Sequence, residues 1–147
     1  MAKSFDFTVA PWHLIRRAQQ IAVAIFMRET AAFDATPLQF AILNALIDKP
    51  GEDQVTLAGR VALDTATLGS VIGRLEAKGW VRRAVDPADK RRKLLWITAQ
   101  GQQLAVKMKR AASRVQQRIV SPLNDDERAQ LSQLLGKLIA GHEAGTE

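Results

Sequence analysis

The stretch DPADKRRK, Asp86 to Lys93, sets a turn-forming Asp-Pro pair ahead of four consecutive cations, Lys90, Arg91, Arg92 and Lys93. Ammonium and guanidinium groups at that density can grip phosphates, because neutralising a polyanion releases its condensed counterions. Taken alone, a short charge run is more often a solvated hairpin tip, so the surroundings decide. From Lys78 to Lys93 seven cations stand against two acids, a local excess of +5 in a chain whose whole net charge is +6. Nearly all of the positive charge is therefore focused in one segment, the footprint of a surface that meets nucleic acid.

Directly before that segment lies TATLGSVIGRLEAKG. With Leu68, Val71, Ile72 and Leu75 facing inward at helical spacing, its outward positions are Thr65, Thr67, Gly69, Ser70, Gly73 and Arg74. Small and polar side chains let a helix backbone approach the floor of a major groove. Hydroxyls reach phosphates or base edges, and a guanidinium forks onto guanine. Glycine inside a helix costs about 1 kcal/mol relative to alanine, so Gly69 and Gly73 imply a close approach, either of a packed neighbour or of DNA.

Other chemistries find no support. The absence of cysteine excludes disulfides, thiolate metal sites and thiol redox sensing. The two histidines, His13 and His142, lie at opposite ends of the chain, and no nucleophile-base pair or metal-ligand spacing stands out. The GSVIG stretch sits inside an amphipathic helix rather than after a strand, as a nucleotide loop would. No enzyme activity, cofactor or metal is expected. The start MAKSFDF lacks the apolar stretch of a signal peptide, and the longest strictly apolar run, Ile21 to Met27, is too short to span a bilayer. A cytoplasmic protein is expected.

The 147 residues, 47% apolar and 24% charged, suit one compact domain with a real core. Its elements can be read in order. Pro11 fits the first turn of a helix running to about Phe33. Leu14, Ala18, Ile21, Ala22, Ile25 and Phe26 form one apolar stripe, and Trp12, Ile15, Val23 and Met27 carry hydrophobicity round the cylinder. Such a helix expects burial on several sides, a subunit interface included. Thr36 caps a second helix that Pro50-Gly51 stops. Thr56 is read as the cap of a third, and Asp64 or Thr65 as the cap of a fourth that ends at Gly79. Helices joined by about three residues have helix-turn-helix spacing. WVRRAV and KLLWIT then bracket the octapeptide as a β-hairpin. Thr98 caps a long helix with Leu104, Met108, Ala111, Val115 and Ile119 on one stripe, ended by Pro122. A last helix opens on Asn124 and Glu127, a capping-box pair, and presents Leu131, Leu134, Leu135, Leu138 and Ile139 as a seam for the first helix and a second copy of the chain.

The ordered set from Leu63 to Gly101, with its RLEAKGWV helix exit, DPADKRR turn and LWITAQG return, resembles the winged helix-turn-helix of the MarR family (multiple antibiotic resistance regulators). The resemblance implies a mainly α fold with a small β-hairpin wing, built as a single domain over 1–147. The winged helix-turn-helix would span 36–98, the recognition helix about 65–78, the wing about 80–98, and dimerisation helices 11–34 and 99–142. It further implies a homodimer on a pseudo-palindromic duplex, each recognition helix in a major groove and each wing in a flanking minor groove. Asp89 and Arg91 match the family's Asp-x-Arg wing, in which a carboxylate steadies the inserted guanidinium; Lys90, Arg92 and Lys93 are read as phosphate contacts or else as solvated surface.

The resemblance also implies a repressor released by a small anionic aromatic ligand. In PWHLIRRAQQ, Trp12 and Arg16 share one helix face and His13 and Arg17 the next. An indole to stack a ring, an imidazole to bond a substituent and a guanidinium to take a carboxylate would make a coherent site, and here the chain resembles the branch of the family that senses aromatic acids such as hydroxylated benzoates or nicotinates. The alternative for the same residues is a core tryptophan, a helix-start histidine and arginines that bridge the dimer. A winged helix serving as a protein-interaction or RNA-binding module is the alternative for the whole chain. Salt-sensitive binding to a duplex with two half-sites separates the two.

Overall fold

The structure, a computed structural model, describes residues 5–145. Helix α1 (Pro11–Glu29) begins with its proline in the first turn, as expected, but ends short of Phe33. There the Thr30 hydroxyl donates back to the Phe26 carbonyl at 2.7 Å, a 3-10 turn (Ala31–Phe33) follows, and Asp34 takes a left-handed conformation at φ 51. Helix α2 (Pro37–Asp48) carries a complete capping box between Thr36 and Gln39. Helix α3 (Gln54–Arg60) is capped by Asp53, not by Thr56: the Asp53 carboxylate accepts the Thr56 amide at 3.0 Å and the Thr56 hydroxyl at 2.6 Å. Thr56 is the third helical residue, and its hydroxyl reinforces the cap instead of forming it.

Helix α4 (Thr65–Ala77) repeats that device, Asp64 accepting the Thr67 amide at 2.7 Å and its hydroxyl at 2.6 Å. It ends at Gly79, φ +74, where Gly79 N–H donates to the Glu76 carbonyl and Trp80 N–H to that of Leu75. This is the Schellman arrangement, which needs a left-handed residue. Strands β2 (Val81–Val85) and β3 (Lys93–Ile97) pair antiparallel with Arg83 opposite Leu95, forming the expected hairpin. A short strand β1 (Glu52–Asp53) extends it to the order β1-β3-β2. Two acidic residues have no alternating pattern to signal a strand; the pairing partner is remote in sequence.

Helix α5 (Ala99–Ile119) starts from the Thr98 cap, and α6 (Asp125–Glu143) from the Asn124–Glu127 capping box. Ile42, Leu43, Leu46, Leu57, Leu68, Ile72, Leu75 and Leu95 are fully buried and weld α2, α3, α4 and the sheet together. Phe26, Met108, Ala111 and Val115 bury the α1–α5 seam, and Glu29 ties the same helices by pairing with Arg114 and Arg118. Helix α6 buries no residue; Leu134, Leu135, Leu138 and Ile139 are exposed, as are Leu14, Ile15 and Ile21 of α1. No single helix among the described residues is long and apolar enough to cross a membrane.

The Asp53 cap carries a pH signature. The Thr56 hydroxyl, then the Thr56 amide and, more weakly, Arg92 hold its carboxyl down to about 2 from 3.8. A depressed carboxyl contributes stability that is present above the unfolded value and lost as pH falls through the folded one. Between about pH 4 and 2, the wild type should therefore lose more stability than Asp53→Asn, whose amide keeps an acceptor but has no charge to lose. Urea midpoints across that window test this, and parallel curves would contradict it.

Candidate nucleic-acid interface

The outward face of α4 is as polar as its sequence implies. Thr65, Thr67, Ser70 and Arg74 are exposed, and Arg74 forms no ion pair among the described residues. The Thr67 hydroxyl hydrogen is committed to Asp64 at 2.6 Å, so towards a ligand this oxygen offers lone pairs. That contact and the Thr67 amide hold the Asp64 carboxyl below its usual range. The two glycines divide. A Cβ on Gly69 would sit 3.0 Å from Gln54 Nε2, whereas one on Gly73 would meet nothing within 4 Å. The flexible end of Gln54 can give way by a few tenths of an ångström, so packing presses only mildly on Gly69, and among the described residues no neighbour explains Gly73. Gly73→Ala is therefore expected to raise unfolding stability by about 1 kcal/mol while weakening any binding to duplex DNA. A stabilised variant with undiminished binding would mean that no ligand approaches there.

The wing loop closes on itself. Asp86 N–H donates to the Arg92 carbonyl at 3.0 Å, Arg92 N–H to the Asp89 carbonyl at 2.9 Å, and Ala88 N–H to Asp86 Oδ1 at 2.8 Å. At its tip Arg91 grips Asp89 twice, Nε to Oδ1 at 3.1 Å and Nη2 to Oδ2 at 3.2 Å, while the Arg91 amide donates to the same carboxylate. The fork fixes the plane of the guanidinium, yet the side chain remains 91% exposed. Arg91 is also the first cause of the lowered Asp89 pKa. Lys90 and Lys93 are exposed beside it.

Charge counting in the sequence treats the cations alike, whereas the fold sorts them. Arg92, read from the sequence as a phosphate contact, lies between two carboxylates: Nη2 is 3.2 Å from Asp53 Oδ2 and Nη1 3.3 Å from Asp86 Oδ2. Arg83 points to the opposite face of its strand from Arg82 and pairs with Glu76 at 2.7 Å. Arg82 stacks on Trp96, 4.2 Å from the ring centre. Lys78 pairs with Asp34 at 3.1 Å and lies over Trp80. Strand alternation alone would have separated Arg82 from Arg83; Asp34 and Asp53, the remote partners of Lys78 and Arg92, leave no local signal.

On α1, three of the four residues read as ligand contacts come together. Arg16 lies 5.6 Å from the Trp12 ring centre and donates to His13 Nδ1 at 3.4 Å, and Phe7 meets His13 edge-on at 5.4 Å. Arg17 turns away to Gln20 Oε1 at 2.7 Å. Trp12 is 68% exposed, which removes the core alternative within one chain. A hollow of about 160 Å³ between α1, the start of α2 and α5 is lined by Ala22, Phe26, Pro37 and Ile119 among others, and none of the four reaches it.

Comparison with known proteins agrees with this geometry. The model of the MarR family matches residues 35–93. The transcriptional regulator HosA of Escherichia coli O111:H- is 34% identical over 87% of this chain and 93% of its own length. The HTH-type transcriptional repressor NicR of Pseudomonas putida is 32% identical over 95% and 88%. Among solved structures, Bordetella bronchiseptica BpsR, whose DNA binding is regulated by 6-hydroxynicotinic acid, superposes with a TM-score of 0.87 at 34% identity, covering 92% of this chain and 97% of its own. A helix-turn-helix with a basic wing, matched over nearly its whole length by such regulators, places the chain in the MarR family of DNA-binding transcriptional regulators.

Proposed function

We propose that this regulator is a homodimeric repressor of a pseudo-palindromic operator, released by a small aromatic carboxylate of the hydroxylated benzoate or nicotinate kind. The braced yet exposed Arg91 carries the DNA half of this reading. A guanidinium held flat by Asp89 and without another partner among the described residues suits insertion into a narrow, negatively charged minor groove. Thr65, Thr67, Ser70 and Arg74 then read the adjacent major groove, Asp89 orients Arg91, and Lys90 and Lys93 hold phosphates.

Dimerisation rests on α6. A helix of this length with no buried residue and an apolar seam requires a partner surface. The groove of about 390 Å³ bounded by Leu14, Ile15, Ala18, Ile119, Leu131 and Leu135 is apolar enough to receive one. The effector half of the proposal rests on Trp12, His13 and Arg16, with Arg17 one turn away, and on the effector sensitivity that BpsR is described as having. Work in the cytoplasm follows from an operator as target.

Duplexes selected by the protein from a randomised pool should show two half-sites about one helical turn apart and bind in a strongly salt-dependent way. Titration of the DNA-free protein with a panel of aromatic carboxylates should give an effector that also dissociates the complex. Arg16→Ala should lose at least about tenfold in effector affinity, as expected for a charge-assisted carboxylate contact, and Arg17→Ala should lose less, because Gln20 already occupies that guanidinium. Equal affinities across wild type and both variants would place the effector elsewhere.

A further inference from the structure

A protein that puts a helix in a major groove and a finger in the neighbouring minor groove must straddle the sugar-phosphate ridge between them. The gap between helix and finger then has to match the ridge. Here that gap is a hollow of about 190 Å³ whose lining includes Asp53, Thr65, Arg91, Arg92 and Lys93: the start of α3, the start of α4 and the inner flank of the wing. Strand β1 already joins Asp53 to Leu94 at the root of the wing, and side chains that cross the gap set its width beyond that root.

One does. Arg92 leaves the wing loop and bonds Asp53, the cap of α3, with one nitrogen and Asp86, at the base of the wing, with the other. Both acids are well shielded, their side chains 17% and 11% exposed, whereas Arg92 is 51% exposed. Each acid is further pinned, Asp53 by Thr56 and Asp86 by the Ala88 amide. The guanidinium is thus the movable piece between two fixed carboxylates, and shielded carboxylates deprived of their cation repel.

We infer that Arg92 is a positioning residue, a strut that fixes the wing against the capped start of α3 so that Arg91 and the α4 face straddle one phosphate ridge. Its neighbour Arg91 points outward, and the alternation of the two arginines divides the wing into a finger and a stay. This rests on the reading of Arg91 as the inserted side chain.

A double-mutant cycle separates a strut from a phosphate contact. In DNA-free protein, Arg92→Ala should speed hydrogen exchange of the Asp86 and Arg92 amides, which close the loop, about tenfold, a middling coupling for contacting charges. On a duplex selected by the wild type, Arg92→Ala should weaken binding by a similar factor and flatten discrimination at the flanking base pairs under the wing, while central half-site preferences persist. Adding Asp53→Asn and Asp86→Asn should improve binding in the Arg92→Ala background and impair it when Arg92 is present. If Arg92 merely held a phosphate, removing the two acids would strengthen binding equally in both backgrounds and wing exchange would not change; that result overturns the inference, as does exchange and affinity unaltered by Arg92→Ala. If Arg91→Ala leaves operator binding intact, the wing-insertion reading fails, and the exchange measurement, which involves no DNA, still reports on the strut.

Discussion

Arg91→Ala is expected to weaken binding to the selected duplex on the order of a hundredfold while leaving the dimer and its melting temperature unchanged. The side chain is almost wholly exposed and its ion pair lies at the wing tip, where such pairs contribute little to folding. Its value appears only on DNA. A well-oriented guanidinium contact is worth about 1 to 3 kcal/mol, and a two-fold dimer loses it twice. Arg91→Lys sharpens the test, since an ammonium keeps the charge but cannot form the fork with Asp89; it should fall between wild type and alanine. Asp89→Ala is more telling. Removing an acid near a polyanion should strengthen binding by simple electrostatics, so a weakened complex would mean that orientation outweighs repulsion. Gel-shift or anisotropy titrations at several salt concentrations, with sedimentation to follow the dimer, decide among these. Wild-type affinity in Arg91→Ala would remove the wing from the interface.

What the sequence made legible follows the range of the interactions involved. Thr36, Thr98 and Asn124 could be identified as caps because each bonds an amide three residues on, and Gly79 as a stop because a left-handed residue is a local demand. The α3 start shows how local signals become ambiguous. Asp53 and Thr56 are both good caps in a three-residue spacing, and the same Asp-x-x-Thr pattern at Asp64–Thr67 was the clue to which of them caps. The end of α1 escaped because helical periodicity runs on through Phe33, while Thr30 bonds its own helix and turns the chain. On α4, the exposure of Thr65, Thr67, Ser70 and Arg74 on one helix face was legible from the helical period. The division between Arg91 and Arg92 was not, since one partner of Arg92 lies 39 residues away. Charge composition locates a patch; only the fold says which cations are already spent on carboxylates.

The largest stability effect is expected from Gly101→Ala, a change that helix propensity alone would favour by about 1 kcal/mol. Gly101 lies in the first turn of α5, where the chain leaves the sheet. A Cβ there would stand 2.2 Å from the Trp80 carbonyl oxygen and 3.0 Å from Ile97 Cγ1. The oxygen cannot yield cheaply, because it accepts the Thr98 amide at 2.9 Å, and the Thr98 hydroxyl in turn donates to the Gly79 carbonyl at 2.6 Å and accepts the Gly101 amide at 3.0 Å. Thr98 thus latches the start of α5 to the exit of α4, and a methyl group at 101 pries that latch open. Overpacking against backbone costs about 1 to 3 kcal/mol, and each buried hydrogen bond left unmade about as much. After the propensity gain is subtracted, a net loss of roughly 2 to 4 kcal/mol remains. Gly73→Ala, with open space at its Cβ, is the matched control: the same chemical change in a helix, with the opposite sign. Urea unfolding of both variants at equal protein concentration, needed because the proposed dimerisation would link stability to concentration, should move the two midpoints in opposite directions. A Gly101→Ala protein as stable as wild type would mean that the α4 exit and the α5 start separate freely, and the latch would then have no part in holding α4 against the rest of the fold.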